Sequence, residues 1–173
     1  MLQKSNTIRT AEIFFLEPEK EHYLMEISRR INLAHTFVKR DLDKLVKSGL
    51  IKKADDKKGK RKFPYFTAGE NNSAYYSLKR VYALEELHKS GVIPELLSAD
   101  SAKTIIIFGS MMKGDWYKNS DVDIFVFGNL SDFNSKVYEK KLHRNIELHI
   151  FHSRKEIEKV KTCLMKNVIN AML

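Results

Sequence analysis

KTIIIFGSMMKGDWYKNSDVDIFVFG, residues Lys103 to Gly128, is the stretch on which the reading of this chain turns. Its first arm, KTIIIF, is a short continuous apolar run rich in β-branched residues, as a buried strand requires. Gly109-Ser110 follows at once, and then MMKGDWYKN, a polar segment expected to form a short helix or turn. Ser120-Asp121-Val122-Asp123 opens a second apolar run, IFVF, closed by Gly128. Residues two apart on a strand share a face, so Asp121 and Asp123 are expected to present their carboxylates together. Two like charges so placed are unfavourable without a cation between them, which points to Mg²⁺ held jointly with triphosphate oxygens. Gly109 lets the backbone approach a phosphate with no side chain in the way, and Ser110 offers a hydroxyl and a backbone N–H. Lys113 and Lys118 are placed to neutralise a leaving pyrophosphate.

Further along, NIELHIF alternates Ile146, Leu148 and Ile150 with Glu147, His149 and Phe151, so Glu147 stands on the face opposite the aliphatics. His149 is open to the same site by this alternation, but is read first as an ordinary strand histidine. Trp116 and Tyr117 are left between two roles, stacking on a base or packing against the other domain. Ser153 and Glu156 have capping-box spacing, and one final helix with Ile157, Val160, Leu164 and Val168 on one face is expected to cover the sheet.

The combination resembles the nucleotidyltransferase superfamily of DNA polymerase beta, in particular its small stand-alone prokaryotic members, the minimal nucleotidyltransferases. It rests on Gly109-Ser110, on Lys113-Gly114 and on Ser120-Asp121-Val122-Asp123 between two apolar strands, and it extends over Lys103 to about Phe151. The resemblance implies transfer of a nucleoside monophosphate from an NTP, ATP by expectation, to an acceptor hydroxyl, with Mg²⁺ as cofactor. Asp121, Asp123 and Glu147 would be the catalytic and metal-binding residues, and Gly109, Ser110, Lys113 and Ser120 the nucleotide-binding ones. The third carboxylate departs from the family's commoner Asp, and Glu147 reaches about one methylene further. Small members of the family often act as antitoxins that adenylylate or mask a toxin of the all-helical HEPN type, and such a toxin or another acceptor protein is the partner implied. The alternative is a DNA-binding regulator whose nucleotidyltransferase fold is non-catalytic and senses nucleotide or binds a partner.

Toward the N-terminus, TIRTAEIFFL is apolar enough for a packed helix stopped by Glu17-Pro18. HYLMEISRRI places Leu24, Ile27 and Ile31 on a helical stripe, and Asn32-Leu33 breaks it. AHTFVKRDLDKLVKSG sets Val38, Leu42, Leu45 and Val46 on one face and ends at Gly49. Two strands around a polar turn at Asp55 to Gly59 then carry Lys57, Lys58, Lys60, Arg61 and Lys62 at the tip. This order resembles the winged helix-turn-helix domains of many prokaryotic regulators, which implies contact with duplex DNA. His35, Thr36, Lys39 and Arg40 on the second helix of the motif, with Lys58, Lys60, Arg61 and Lys62 at the wing, are the candidate DNA-binding residues. A solvated face or a protein adaptor is the alternative.

The expected fold class is α+β, with a winged helix-turn-helix over 1–70, a connecting helix and hinge over 71–100, and a nucleotidyltransferase domain with a small mixed sheet flanked by helices over 101–173. Residues 1–70 hold 16 Lys and Arg against 10 Asp and Glu, so two-thirds of the net charge of +9 sits there, which suits a polyanionic partner. The connecting helix SAYYSLKRVYALEELHKS has an apolar stripe, Tyr75, Leu78, Val81, Tyr82 and Leu84, wide enough to pack between domains or against a second copy in a homodimer. No apolar run approaches the ~20 residues that span a bilayer, and the start MLQKSNTIRT lacks the core of a secretory signal. A cytoplasmic protein with no membrane partner is expected, and its single cysteine, Cys163, is read as a buried structural thiol.

Overall fold

The computed structural model describes residues 5–58, 61–160 and 162–171. Two compact units divide the chain between Ser77 and Leu78.

In the first unit, α1 (Asn6–Leu16), β1 (His22–Tyr23), α2 (Leu24–Ile31) and α3 (His35–Lys47) precede a hairpin of β2 (Ile51–Lys58) and β3 (Arg61–Ala68). The antiparallel sheet runs β1-β3-β2. Ser5 caps α1 by accepting from the Ile8 N–H. Asn32 ends α2 in the left-handed region at φ 51°, and the Arg9 guanidinium donates to the Ile31 carbonyl left open there. Phe14, Ile27, Val38 and Leu42 are fully buried, so the expected stripes of α2 and α3 meet in one core. Two sequence expectations need correction. His22-Tyr23 is not helical: it pairs with Phe66 and Tyr65 as a third strand, and the buried His22 ring meets Phe14 edge-on, which fixes it on the sheet. The hairpin arms are also longer than expected, with Asp55 and Asp56 paired to Pro64 and Phe63 inside the ladder. Lys60 and the side chains of Lys58, Arg61 and Lys62, named above as wing contacts, lie outside the described residues, as does the Cys163 side chain.

Helix α4 (Ser73–Ser90) crosses the division, and its first turn belongs to the first unit. There the buried Tyr75 hydroxyl donates to the Phe14 carbonyl at 2.8 Å, while its ring meets Phe15 edge-on. Of the α4 stripe, Tyr75 and Tyr82 are buried, but Val81 and Leu84 are exposed.

The second unit continues with α5 (Val92–Leu97), β4 (Ala102–Phe108), α6 (Ser110–Lys113), β5 (Val122–Gly128), α7 (Ser135–Leu142), β6 (Ile146–Phe151), α8 (Arg154–Glu158) and α9 (Thr162–Asn170). The stretch 91–100, expected as a hinge, forms α5 with Val92 and Leu96 buried, because its apolar residues have a core to enter. The sheet order is β4-β5-β6, antiparallel between β4 and β5 and parallel between β5 and β6, with α7 as the crossover. One face of the sheet carries Ile106, Phe108, Phe125, Phe127 and Phe151, packed against Ile157, Leu164 and Val168. The expected single final helix is two, α8 and α9, yet its apolar residues cover the sheet as anticipated. Ser153 and Glu156 bond at 2.9 Å, and Glu156 also accepts from the His152 N–H. No helix among the described residues is long and apolar enough to cross a membrane.

Replacing Tyr75 with Phe leaves the buried Phe14 carbonyl without its donor. The expected cost is about 1–3 kcal/mol in chemical denaturation, with the first unit's circular dichroism otherwise native.

Candidate active site

Strand register brings the acidic residues together. Phe108 of β4 pairs with Asp123 of β5, and Asp123 pairs across the parallel ladder with Glu147 of β6; Phe125 pairs with His149 two residues on. By pleat alternation Asp123, Glu147 and His149 therefore share the sheet face that the aromatics and α9 occupy, at its end near Gly109. One ligand atom from each of these three residues lies within 4.8 Å of the other two. Glu147 is exposed, Asp123 and His149 partly so, and the imidazole Nε2 stands 3.6 Å from a Glu147 carboxylate oxygen. The Phe108 ring supports the imidazole at 5.4 Å.

Burial pushes the Asp123 carboxyl above its usual range, and the facing charge of Glu147 pushes it further, as Asp121 does more weakly; His149 and Lys113 act in the opposite sense. A half-buried carboxylate held against a second one is the donor set that a divalent cation relieves. Asp123, Glu147 and His149 thus fit a cation by chemistry as well as by spacing.

Gly109 is required at this point for a local reason. Its φ of 72° lies in the left-handed region, and a Cβ there would collide with the Asp123 carboxylate. The backbone of the Gly-Ser turn passes directly beside the acidic cluster. Ser110 opens α6, whose end is fixed by left-handed Gly114 bonding back to the Ser110 carbonyl at 2.9 Å. Lys113, whose charge is felt at Asp123, donates to Asn167 of α9 at 3.1 Å.

Asp121 lies at the edge of the ladder, near enough for its charge to be felt at Asp123. The β5 ladder starts at Val122, whose N–H donates to the Asn145 carbonyl, so Asp121 stands just before the pleat. The Asn145 amide donates to Asp121 at 3.2 Å, and Asp121 lines a cavity of about 370 Å³ with Asn119, Lys140, His143 and Arg144. Its carboxylate lies outside the three-residue cluster. Ser120 is buried, and its hydroxyl accepts from the Tyr117 N–H at 2.9 Å, which closes the loop. Lys118 is exposed.

Two residues unread in the sequence hold this loop. Arg144 donates to the Tyr117 and Ser120 carbonyls at 2.6 and 2.8 Å, and its guanidinium lies 4.9 Å over the Trp116 ring. Asn145 fixes Asp121 and Val122 as described. No periodicity marks either one, because both follow α7 in an irregular link. Trp116 is buried within the second unit, stacked on Tyr82 at 6.0 Å with its indole N–H on the Lys79 carbonyl, so its role is packing. Tyr117 is exposed. His149 was legible in part: the alternation that found Glu147 put it on the same face, and the structure sets its imidazole beside Asp123 and Glu147.

Residues 92–171 match the family model described as "Polymerase beta, Nucleotidyltransferase". No curated protein and no solved structure gives a match to the chain. The second unit is accordingly similar to nucleotidyltransferase domains, and this supports a transferase-type activity.

The raised Asp123 carboxyl gives a signed expectation. Its folded value lies above its unfolded one, so the native state is destabilised as pH rises through that window and stays so at neutral pH. Asp123→Asn should therefore raise the melting temperature in cation-free buffer at pH 7, by ~4–8 °C for each kcal/mol recovered at this unit size. The gap should close below the usual carboxylate range, where wild-type Asp123 is protonated too. A lower melting temperature for the variant at pH 7 would contradict the like-charge account.

Proposed function

We propose that this chain is a Mg²⁺-dependent nucleotidyltransferase that moves a nucleoside monophosphate from an NTP, ATP by expectation, to an acceptor hydroxyl, joined to a winged helix that binds duplex DNA. The observation that carries the catalytic reading is the pairing of Asp123 with Glu147 beside the Gly109 turn, inside the region that matches the family. In this reading Asp121 and Asp123 would hold the cation that travels with the triphosphate, and Glu147 with both Asp residues would hold one that serves the acceptor. The cation, when bound, offsets charge on the phosphates and lowers the pKa of the attacking hydroxyl. Gly109 and Ser110 offer backbone N–H groups and a hydroxyl to phosphate oxygens, and Lys113 adds positive charge on that side. The loop pinned by Arg144 keeps Asp121 and Asp123 in place while the triphosphate is bound.

For the first unit, the helix and strand order with a β1-β3-β2 sheet supports the winged-helix reading. The outer face of α3 supports DNA as its ligand. Thr36, Lys39, Arg40, Asp43, Lys44 and Lys47 line a shallow groove there of about 380 Å³, four cations against one carboxylate, and His35 is exposed at the start of the helix. A net positive face on the second helix of the motif suits a helix laid against phosphates and base edges in a major groove. An antitoxin-like role, with a HEPN-type toxin as the acceptor or masked partner, fits this pairing of activities. A non-catalytic, nucleotide-sensing regulator is the second reading, favoured by one observation: Asp121 is engaged by Asn145 and lies outside the donor cluster.

Radiolabelled ATP, Mg²⁺ and candidate protein or RNA acceptors decide between the two readings. Transfer is expected with the wild type and should fall by about 10²–10³-fold in Asp121→Ala plus Asp123→Ala, the equivalent of several kcal/mol of charge stabilisation. No transfer to any acceptor, with nucleotide binding unchanged in the double variant, would leave the non-catalytic reading.

Duplex DNA should be retarded by the full chain at low ionic strength, and Lys39→Ala plus Arg40→Ala should weaken binding and lower the salt slope by roughly 1–2. Binding that ignores salt, or that the variant leaves intact, removes α3 as the contact.

A further inference from the structure

The cluster beside Gly109 contains a donor that an oxygen-only Mg²⁺ site does not need. We infer that His149 is a direct metal ligand, and that Asp123, Glu147 and His149 form a mixed oxygen and nitrogen site selecting a first-row divalent transition ion such as Mn²⁺ over Mg²⁺. The inference takes from the proposed function only that Asp123 and Glu147 hold a cation.

Three observations carry it. The carboxylate oxygens and an imidazole nitrogen lie within 4.8 Å of one another, a small side-chain rotation from the ~3–4 Å that separates donors sharing one ion at about 2.1 Å. The imidazole is four-fifths covered and rests against Phe108, so it is held toward the carboxylates rather than free to swing into solvent. Its Nε2 faces the Glu147 carboxylate at 3.6 Å, beyond a normal hydrogen bond, which leaves room between the two for an ion. Register explains why all three side chains come from one face: Asp123 and Glu147 are directly paired, and His149 is the next residue along β6 on that side. Mg²⁺ prefers six oxygen ligands and keeps several waters, so an imidazole adds little to it; Mn²⁺ and its later neighbours accept imidazole nitrogen readily.

The test uses the full chain without nucleotide. Mn²⁺ binding is followed by the loss of the free-ion electron paramagnetic resonance signal, and nitrogen ligation by pulsed electron–nuclear spectroscopy of the bound ion. Wild type should bind Mn²⁺ with ¹⁴N coupling of the imidazole type, and Mg²⁺ should displace it only at ~10-fold or greater excess. In His149→Ala the nitrogen coupling should vanish, Mn²⁺ affinity should drop by ~10-fold or more, and Mg²⁺ affinity should change little. His149→Gln, which keeps size and polarity, should behave as His149→Ala, with native circular dichroism in both showing that the fold is intact. Glu147→Gln should weaken both ions. Bound Mn²⁺ without nitrogen coupling, an unchanged Mn²⁺ to Mg²⁺ preference in both His149 variants, or no Mn²⁺ binding at all would overturn the inference. Nucleotidyl transfer with no nitrogen ligation leaves the proposed function standing and removes this site. Nitrogen-ligated Mn²⁺ with no transfer does the reverse.

Discussion

The second unit depends on a repulsion that its backbone imposes and does not itself relieve. Parallel pairing of β5 with β6 sets Asp123 directly across from Glu147, and burial denies Asp123 the water that would otherwise screen it. Sheet hydrogen bonds and the aromatic layer under α9 fix both strands, so the carboxylates have little freedom to part. Strain of this kind persists only where the surrounding packing over-determines it. The surrounding details follow from this constraint: Gly109 is side-chain-free because the Asp123 carboxylate already fills the space, and Lys113 and His149 supply the nearby partial compensation.

A second constraint is mechanical. The loop between α6 and β5 is irregular, and irregular backbone next to charged groups drifts unless it is tied. Arg144 ties it from below with two carbonyl bonds and a stacked indole, and burial lowers the tendency of that guanidinium to hold its charge without removing it. One cation placed after a helix thus orders a loop that precedes a strand, and the start of β5 is set from both sides.

Much of this was legible in the residues. The apolar runs 103–108 and 122–128 are strands because continuous β-branched and aromatic residues fit a covered sheet, and alternation alone separated Glu147 from Ile146 and Leu148. The helices of the first unit were legible from their stripes, from the break at Asn32-Leu33 and from the cap at Gly49, and both Asn32 and Gly49 prove left-handed. What escaped has physical reasons. A two-residue strand such as His22-Tyr23 carries no period to detect, and it exists only because β3 is there to pair with it. Helix α7 was invisible as a core element since none of its residues is buried, leaving no apolar stripe. The tie of Asp121 and Val122 to Asn145 escaped because it joins residues far apart in the chain, where no period marks it.

The parallel crossover has a consequence for assembly. Strands β4 and β5 are antiparallel and are joined through α6 and the loop that follows it. Glu147 and His149 join Asp123 only when β6 is carried back alongside β5 by way of α7. The cluster thus exists only while the parallel seam between β5 and β6 is closed. A ligand held between Asp123 and Glu147 would join the two strands of that seam through their side chains, so occupancy would stabilise the strand pair by mass action.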